Sequence, residues 1–342
     1  MTMLTVKHKF YLLFLLTTIS LMGCQVSPNS QNVTTMTQAN ILSPPQNQTA
    51  AIISASTSDY MPVSLTGTQQ LLLTTQDNQT YRILLSQPLD SIQPTQPIVI
   101  TLDGDTLFPI GLRYLYLQQS QQQNANANIP TKQNHPKQTA DTTPVLIGIG
   151  YPDTKLFSQR RLQDYPPKPS NPLQSLISHQ ILEQLTTKDG QSLGKNRHIS
   201  LIGHSLGGLF VLQALAECMA KDAHGICHYQ HIYIASPSLW WQNGKSFELT
   251  HDWFKDILTK NVKLPQVTIS VGELEQTPLT TDTPQRQQQV ISRQMVDNAH
   301  QLHKNLQTYG INNQFVKFEH ATHHEASELA LKQAINDAFV LN

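Results

Sequence analysis

The feature that most constrains this chain is a tight turn between an apolar strand and an apolar helix, within residues 198–210. The turn reads Gly203-His204-Ser205-Leu206-Gly207, and a helix with an apolar stripe follows it at once. Glycines flank the serine because the turn is strained, and side chains at those positions would collide with neighbouring backbone. Ser205 Oγ is then exposed at the positive end of a helix, where the Leu206 amide can stabilise an oxyanion. The pattern predicts a serine nucleophile; the alternative is a glycine-rich turn with an incidental serine.

The rest of the chain alternates strand and helix patterns. An antiparallel hairpin is predicted from two β-prone runs at 71–75 and 79–86. Buried strands are predicted from apolar runs at 98–102, 145–150, 231–235, 267–271 and 315–320. Helices are predicted at 111–117, 172–185, 283–309 and 326–341. Repeated β-α units of this kind predict an α/β fold, with a mostly parallel central sheet, helices on both faces and the hairpin at an edge.

A nucleophilic serine needs a base, and the base needs a third group that orients it. In the α/β-hydrolase fold these groups follow in the order serine, acid, histidine. His323 is the favoured base, because we expect it in the loop between the last strand and the last helix; His324 and His320 are alternatives. Glu275 is the favoured acid, since it lies three residues beyond the glycine that ends its strand, and Glu273 is the alternative.

A second oxyanion donor is expected from the loop after an earlier strand. Strand 98–102 runs into Asp103-Gly104-Asp105, where the glycine lets the backbone turn inward. The Gly104 or Asp105 amide is therefore the predicted second donor, with an ordinary Asp-Gly turn as the alternative.

The first residues carry the pattern of a secretion signal. Lys7 and Lys9 precede an apolar run at 10–16 that is too short to span a bilayer. The ending Leu-Met-Gly-Cys resembles a bacterial lipoprotein processing site, so Cys24 is expected to carry acyl chains such as palmitate. Gln25 does not resemble an inner-membrane retention signal, which favours an outer-membrane anchor facing the periplasm. The alternative is a plain signal peptide with an unrelated cysteine.

Composition divides the chain into segments. We expect a signal peptide at 1–23, a polar membrane tether at 24–59 and one α/β-hydrolase domain at 60–342. A tract rich in Gln, Asn and Thr, at 118–143, is predicted to be a loop insertion within that domain.

Charge and cysteine content exclude some functions. The chain has 23 basic and 23 acidic residues, with no basic patch that would indicate nucleic-acid binding. Cys218 and Cys227 either form a disulfide, which an oxidising compartment permits, or remain thiols. No Cys/His spacing indicates zinc, although the His-x-x-His-His run at 320–324 leaves a metal cluster as a minor alternative. The favoured mechanism requires no metal or organic cofactor.

Several segments together resemble the bacterial esterase family that includes the enterobactin, salmochelin and bacillibactin esterases. The matching segments are L-D-G-D-T-L-F at 102–108, R-L-Q-D-Y-P at 161–166, G-H-S-L-G-G-L-F at 203–210, S-P-S-L-W-W at 236–241, G-E-L-E at 272–275 and T-H at 322–323. The resemblance implies a serine esterase led by Ser205 and His323. His324 stands where a small residue is usual in the family, which weakens the assignment of the base.

The resemblance also implies substrate-binding residues. Arg161 would bind an anionic substrate or, alternatively, form a salt bridge with Asp164. Trp240 and Trp241 would stack on aromatic acyl groups or, alternatively, cap the helix layer, and His204 is placed with the substrate-binding residues.

The sequence therefore predicts a lipid-anchored hydrolase of small-molecule carboxylic esters that acts through an acyl-serine intermediate. A ferric-siderophore lactone is the favoured substrate. The alternatives are an acyltransferase, a lipid or envelope esterase that uses the same serine, and a non-catalytic ligand-binding module on a hydrolase scaffold.

Overall fold

The computed structural model describes residues 65–127, 143–153, 156, 158–220, 227–255 and 264–340. The predicted signal peptide and tether, with Cys24, lie outside the described residues, as do residues 128–142 of the predicted insertion. Within the described ranges, no helix is both long enough and apolar enough to cross a bilayer.

A single eight-stranded sheet forms the centre of the domain. Its strands are β1 (Gln69–Thr74), β2 (Thr80–Leu85), β3 (Ile98–Thr101), β4 (Val145–Gly150), β5 (Ile199–His204), β6 (His231–Ala235), β7 (Gln266–Gly272) and β8 (Asn313–Phe318). They are ordered β1-β2-β4-β3-β5-β6-β7-β8 across the sheet. Strands β1 and β2 are antiparallel, β2 is antiparallel to β4, and the remaining pairs are parallel. This confirms the predicted fold class, with the hairpin at one edge.

Helices cover both faces of the sheet. They are α1 (Gly104–Ala127), α2 (Arg161–Asp164), α3 (Pro172–Ser175), α4 (Leu206–Ala220), α5 (Lys245–Phe254), α6 (Pro284–Arg293), α7 (Met295–Thr308) and α8 (His323–Val340). A π-helical segment, Leu176–Gln184, continues α3, and a 3-10 turn, Glu273–Gln276, follows β7. Helices α1 and α8 pack on one face of the sheet, while α3, the π-helical segment, α4 and α7 bury their apolar sides on the other.

Three predicted helix boundaries were wrong. Helix α1 begins at Gly104 and continues to Ala127, so the first part of the predicted 118–143 insertion is helical. Its Gln, Asn and Ala residues tolerate a helix, and no Gly or Pro interrupts them before Pro130. The helix predicted at 283–309 is instead two helices, separated by Gln294 with φ +47°. Helix α8 begins at His323, three residues earlier than predicted.

The order of the strands sets the position of the site. From β3 the chain passes to β4 on one side, and the next strand, β5, lies on the other side of β3. Such a switch point opens a crevice at the carboxyl ends of the two strands, where ligands bind in open α/β sheets. Asp103 and Ser205 follow β3 and β5, so both lie at this crevice.

Candidate active site

Ser205 occupies the tight turn between β5 and α4. Its φ is +60°, a left-handed conformation that is rare for a residue with a side chain. Its amide donates to Ala235 O at 3.0 Å, which fixes the turn against β6. A Cβ on Gly203 would lie 2.5 Å from the carbonyl carbon of Gly207 and 2.6 Å from Val211 Cγ2, so position 203 requires glycine. The turn presents Ser205 Oγ beside the N-terminus of α4, as the sequence predicts.

A histidine and a carboxylate from distant parts of the chain meet beside this turn. His323 Nδ1 lies 2.6 Å from Glu275 Oε2. Glu275 is buried in the 3-10 turn after β7, and its other oxygen, Oε1, accepts from Gly272 N at 2.7 Å and Ser236 Oγ at 2.5 Å. Because Nδ1 faces the carboxylate, Nε2 is the His323 nitrogen that remains for proton transfer.

Glu273, the alternative acid, lies away from His323. One of its oxygens accepts from His320 N at 3.0 Å, and the other lies 3.4 Å from Lys317 Nζ. The His320 side chain is 90% exposed. The geometry therefore favours Glu275 and His323 over Glu273 and His320.

His323 lies in the first turn of α8 and not in the preceding loop, where it was predicted. Thr322 N and Thr322 Oγ1 each donate to Glu325 Oε2 at 2.8 Å, which satisfies free groups at the helix start. The Thr-x-x-Glu sequence at 322–325 is a helix-start signal that would have located this boundary.

Ser205 and His323 line the same cavity, whose volume is about 320 Å³. The other lining residues are Asp103, Thr106, Leu107, Ile110, Arg161, His204, His324, Ser327 and Glu328. A larger hollow of about 1280 Å³ lies along residues 169–184 and holds none of the predicted catalytic side chains, so the chemistry of the lining identifies the site better than size. The hydrogen bond recorded for Ser205 Oγ is with Ser238 Oγ, at 3.0 Å.

The predicted oxyanion donors lie at helix starts. Leu206 is the first residue of α4, and Gly104 and Asp105 are the first two of α1, where amides have no partner one turn earlier in the helix. The neighbouring Asp103 amide is already used, since it donates to Tyr165 OH at 3.1 Å. The choice of Gly104 or Asp105 stays a prediction.

Arg161 lines the cavity, but its salt bridge was predicted with the wrong carboxylate. Its Nε and Nη2 each donate to Asp103 at 2.9 Å, in a bidentate pair. Asp164 lies instead near Arg160, with 3.9 Å between Arg160 Nη2 and Oδ2. Burial raises the pKa of Asp103, while the charge of Arg161 opposes that shift. The charges of Arg161 and Asp103 therefore balance each other in the cavity wall.

His204, predicted among the substrate-binding residues, also lines the cavity. Its ring centroid lies 4.3 Å from that of His323, and its side chain is buried. Burial, together with the nearby His323 and Arg161, lowers the pKa of His204 well below its ordinary value, so this ring is neutral. Among the described atoms no hydrogen-bond partner meets His204 Nε2, which is itself buried.

Trp240 and Trp241 do not line this cavity, contrary to their predicted role. Both are partly buried against the main core, and their rings meet edge to face with centroids 5.8 Å apart. The guanidinium of Arg293 covers the Trp240 ring at 4.4 Å. The alternative role, in which the two tryptophans cap the helix layer, fits this arrangement. Cation–π packing already occupies one face of the Trp240 ring.

Sequence reasoning missed several residues of the site. Asp103, Ser236 and Ser238 were given no role, although Ser236 directly follows β6 and Asp103 lies two residues beyond the end of β3. The wall formed by Leu107 and Ile110 was also missed, because these residues read as ordinary helix core. A position just after a parallel strand is the sequence signal that could have identified Asp103 and Ser236.

The comparisons with known proteins point to serine esterases. Residues 175–323 match the family model described as "Putative serine esterase (DUF676)". The ferri-bacillibactin esterase BesA of Bacillus subtilis is 25% identical over 299 residues, covering 80% of this chain and 90% of that protein. The siderophore enterobactin esterase of Emericella nidulans is 25% identical over 265 residues, covering 67% of this chain and 79% of that protein.

Solved structures agree on the fold. The siderophore hydrolase EstB from Aspergillus nidulans has a TM-score of 0.62 at 19% identity, covering 82% of this chain and 97% of its own. The hydrolase EstA from the same organism has a TM-score of 0.62 at 22% identity, covering 83% and 98%. By these comparisons the chain is a serine ester hydrolase with the α/β-hydrolase fold, and it is similar to siderophore esterases.

Proposed function

We propose that this esterase hydrolyses a siderophore ester through a Ser205–His323–Glu275 triad. The observation that carries the proposal is a strained, half-buried serine in one cavity with a histidine whose Nδ1 lies 2.6 Å from a buried carboxylate.

The chemistry follows from these positions. Ser205 Oγ attacks the ester carbonyl, and His323 Nε2 takes the serine proton. The tetrahedral intermediate collapses as the C–O bond to the alcohol breaks, and His323 returns the proton to the leaving oxygen. Water then attacks the acyl-serine, giving a proton to His323, which passes it to Ser205 Oγ as the acid leaves. Glu275 stabilises the imidazolium in both steps, and the Leu206 amide stabilises the oxyanion.

Hydrolysis of p-nitrophenyl butyrate tests the triad. We expect Ser205→Ala and His323→Ala to lower kcat by about a thousandfold or more. Glu275→Gln should lose more than tenfold, whereas the matched change Glu273→Gln should stay within about twofold of the unchanged enzyme. Full activity in Ser205→Ala, or equal losses in the two glutamate variants, would refute this assignment.

The substrate class is supported by the two curated relatives, whose names specify bacillibactin and enterobactin esters. The cavity combines apolar side chains, Leu107 and Ile110, with the neutral ring of His204. This lining suits an aromatic acyl arm. We expect kcat/KM for a catecholate trilactone to exceed that for p-nitrophenyl butyrate by at least tenfold. Equal values would support a general esterase and contradict the siderophore assignment.

We further propose that Cys24 carries the acyl chains that anchor the enzyme to the outer membrane, facing the periplasm. The Leu-Met-Gly-Cys sequence after an apolar run supports this. Radiolabelled palmitate should enter the full-length chain, and Cys24→Ser should abolish labelling and release the protein into the soluble periplasmic fraction. A labelled, membrane-bound Cys24→Ser variant would exclude the anchor.

A further inference from the structure

Two buried serines on the turn after β6 contact opposite ends of the proposed triad. Ser236 Oγ donates to Glu275 Oε1 at 2.5 Å, and Ser238 Oγ lies 3.0 Å from Ser205 Oγ. Ser236 is 0% exposed and Ser238 is 1% exposed, so solvent does not compete for either hydroxyl. One short turn therefore joins the acid to the nucleophile.

The turn is held rigidly in this position. Ser236 N donates to a backbone carbonyl of β7 at 2.7 Å, and Ser238 N donates to Ser205 O at 3.0 Å. Pro237 fixes its own φ between them. A Cβ on Gly208 would lie only 3.0 Å from Pro237 Cα, which shows how closely α4 approaches the turn. Both hydroxyls are thus placed by backbone contacts on either side.

The direction of the Ser238–Ser205 hydrogen bond follows from proton counting. A hydroxyl has one proton to donate. When Ser205 directs its proton to His323 Nε2, Ser238 must be the donor of the 3.0 Å bond. A donor aimed at Ser205 Oγ stabilises negative charge that builds on this atom as its proton departs, and again when Ser205 leaves the acyl carbon.

We propose that the Ser236-Pro237-Ser238 turn is part of the catalytic machinery. Ser238 is a catalytic residue that donates to the nucleophilic oxygen, and Ser236 is a positioning residue that holds the Glu275 carboxylate toward His323. The proposal rests on the triad mechanism proposed above.

Ser238→Ala removes the donor to Ser205. We expect kcat/KM for p-nitrophenyl butyrate, and the rate of fluorophosphonate labelling of Ser205, to fall together by about tenfold to a hundredfold. Ser238→Thr keeps a hydroxyl and should recover most of the labelling rate. The control is Ser200→Ala, which changes an equally buried serine near the other end of β5 and should leave both rates within twofold.

Ser236 is tested by a pair of substitutions and a double-mutant cycle. Ser236→Ala and Ser236→Gly should each lower kcat by about fivefold to thirtyfold with KM unchanged. Glycine accepts the φ of +41° at this position, so an equal loss in both variants assigns the effect to the missing hydroxyl. In a Glu275→Ala background the Ser236→Ala change should cost less than twofold, because its acceptor is gone.

The outcomes separate the two proposals. The role of the turn is overturned if Ser238→Ala labels at the unchanged rate while Ser205→Ala is inactive. It is equally overturned if Ser236→Gly restores full kcat, or if Ser236 and Glu275 changes multiply independently. The triad itself fails if Ser205→Ala keeps its activity, or if Glu275→Gln and Glu273→Gln lose activity equally. Active-site titration and thermal unfolding of each variant ensure that rates refer to folded enzyme.

Discussion

Three non-glycine residues at the site adopt left-handed backbone conformations. Asp103, Ser205 and Ser236 have φ of +50°, +60° and +41°, and they follow the carboxyl ends of β3, β5 and β6. Each such conformation costs about 1 kcal/mol or more, which a glycine would avoid. The hydrogen bonds that these three side chains make offset the strain. Local distortion at the strand ends therefore coincides with the groups that do the chemistry.

Arg161 illustrates how a cation in a cavity can serve structure. Removing it would leave the buried Asp103 carboxylate without its bidentate partner. We expect Arg161→Ala to lower the free energy of unfolding by about 3 kcal/mol, and Arg161→Lys to lose a substantial part of that, because an ammonium cannot match the fork geometry. Urea unfolding measures both.

The double variant Arg161→Ala/Asp103→Asn provides the control for this prediction. With the buried charge also removed, it should be more stable than Arg161→Ala alone. If Arg161 serves instead to bind an anionic substrate, its loss would raise KM for anionic esters and leave the unfolding curve unchanged, contrary to our expectation.

At the scale of elements, the strands were more predictable than the helix ends. Strand β4 has the predicted bounds, and β6 does too, because a buried parallel strand is apolar along its whole length. The apolar repeat at 283–309 continues across Gln294, so periodicity alone could not reveal the break between α6 and α7. The choice of Glu275 over Glu273 depends on which carboxylate faces inward from a short turn, which spacing only suggests.

Helix α4 begins beside Ser205 and carries a disulfide near its other end. Ser205 precedes its first residue, while Cys218, near its last turn, forms a disulfide with Cys227. The sequence left this pairing open. Thirteen residues of helix, about 20 Å, separate Ser205 from Cys218.

This separation predicts that the disulfide contributes to stability but not to catalysis. A loop of about ten residues closed by a disulfide constrains the unfolded chain by roughly 2–3 kcal/mol. Cys218→Ala/Cys227→Ala should therefore lower the free energy of unfolding by about that amount and leave kcat within twofold. Denaturant unfolding and steady-state kinetics on the same preparation check this, and a tenfold loss of kcat at full stability would contradict it.

At the scale of the whole molecule, the sheet gathers residues that lie far apart in the chain. Ser205 follows β5, Glu275 follows β7 and His323 begins the helix after β8. Because these strands are parallel, all three residues lie at the carboxyl ends of the strands. The opposite end of the sheet holds a second buried polar group around His231. Its ring Nε2 lies 2.9 Å from Thr268 Oγ1 and its Nδ1 lies 3.0 Å from Tyr233 OH.

Those contacts suit a neutral His231. Tyr233 OH donates to Asp337 Oδ2 at 2.7 Å, so His231 Nδ1–H must donate to the tyrosine oxygen, and Nε2 accepts from Thr268. Protonation of Nε2 would require the Thr268 hydroxyl to turn from donor to acceptor, and it would place a charge in a buried site. Burial, with the nearby His198, lowers the pKa of His231 from 6.5 to about 4.

Acid should therefore destabilise this fold through His231. Between pH 6.5 and about 4 the unfolded chain binds a proton at this residue that the folded chain does not, so stability is complete above pH 6.5 and declines as pH falls. We expect His231 to account for a loss of about 2 kcal/mol in the free energy of unfolding between pH 7 and 4.5.

The His231→Gln variant tests this by urea unfolding at both pH values. Its free energy of unfolding should fall by about 2 kcal/mol less than that of the unchanged chain. His198 and His204, whose pKa values are also lowered by burial, are present in both proteins and cancel in the comparison. Identical pH dependence of the two proteins would show that the pKa of His231 is the same in the folded and unfolded chains.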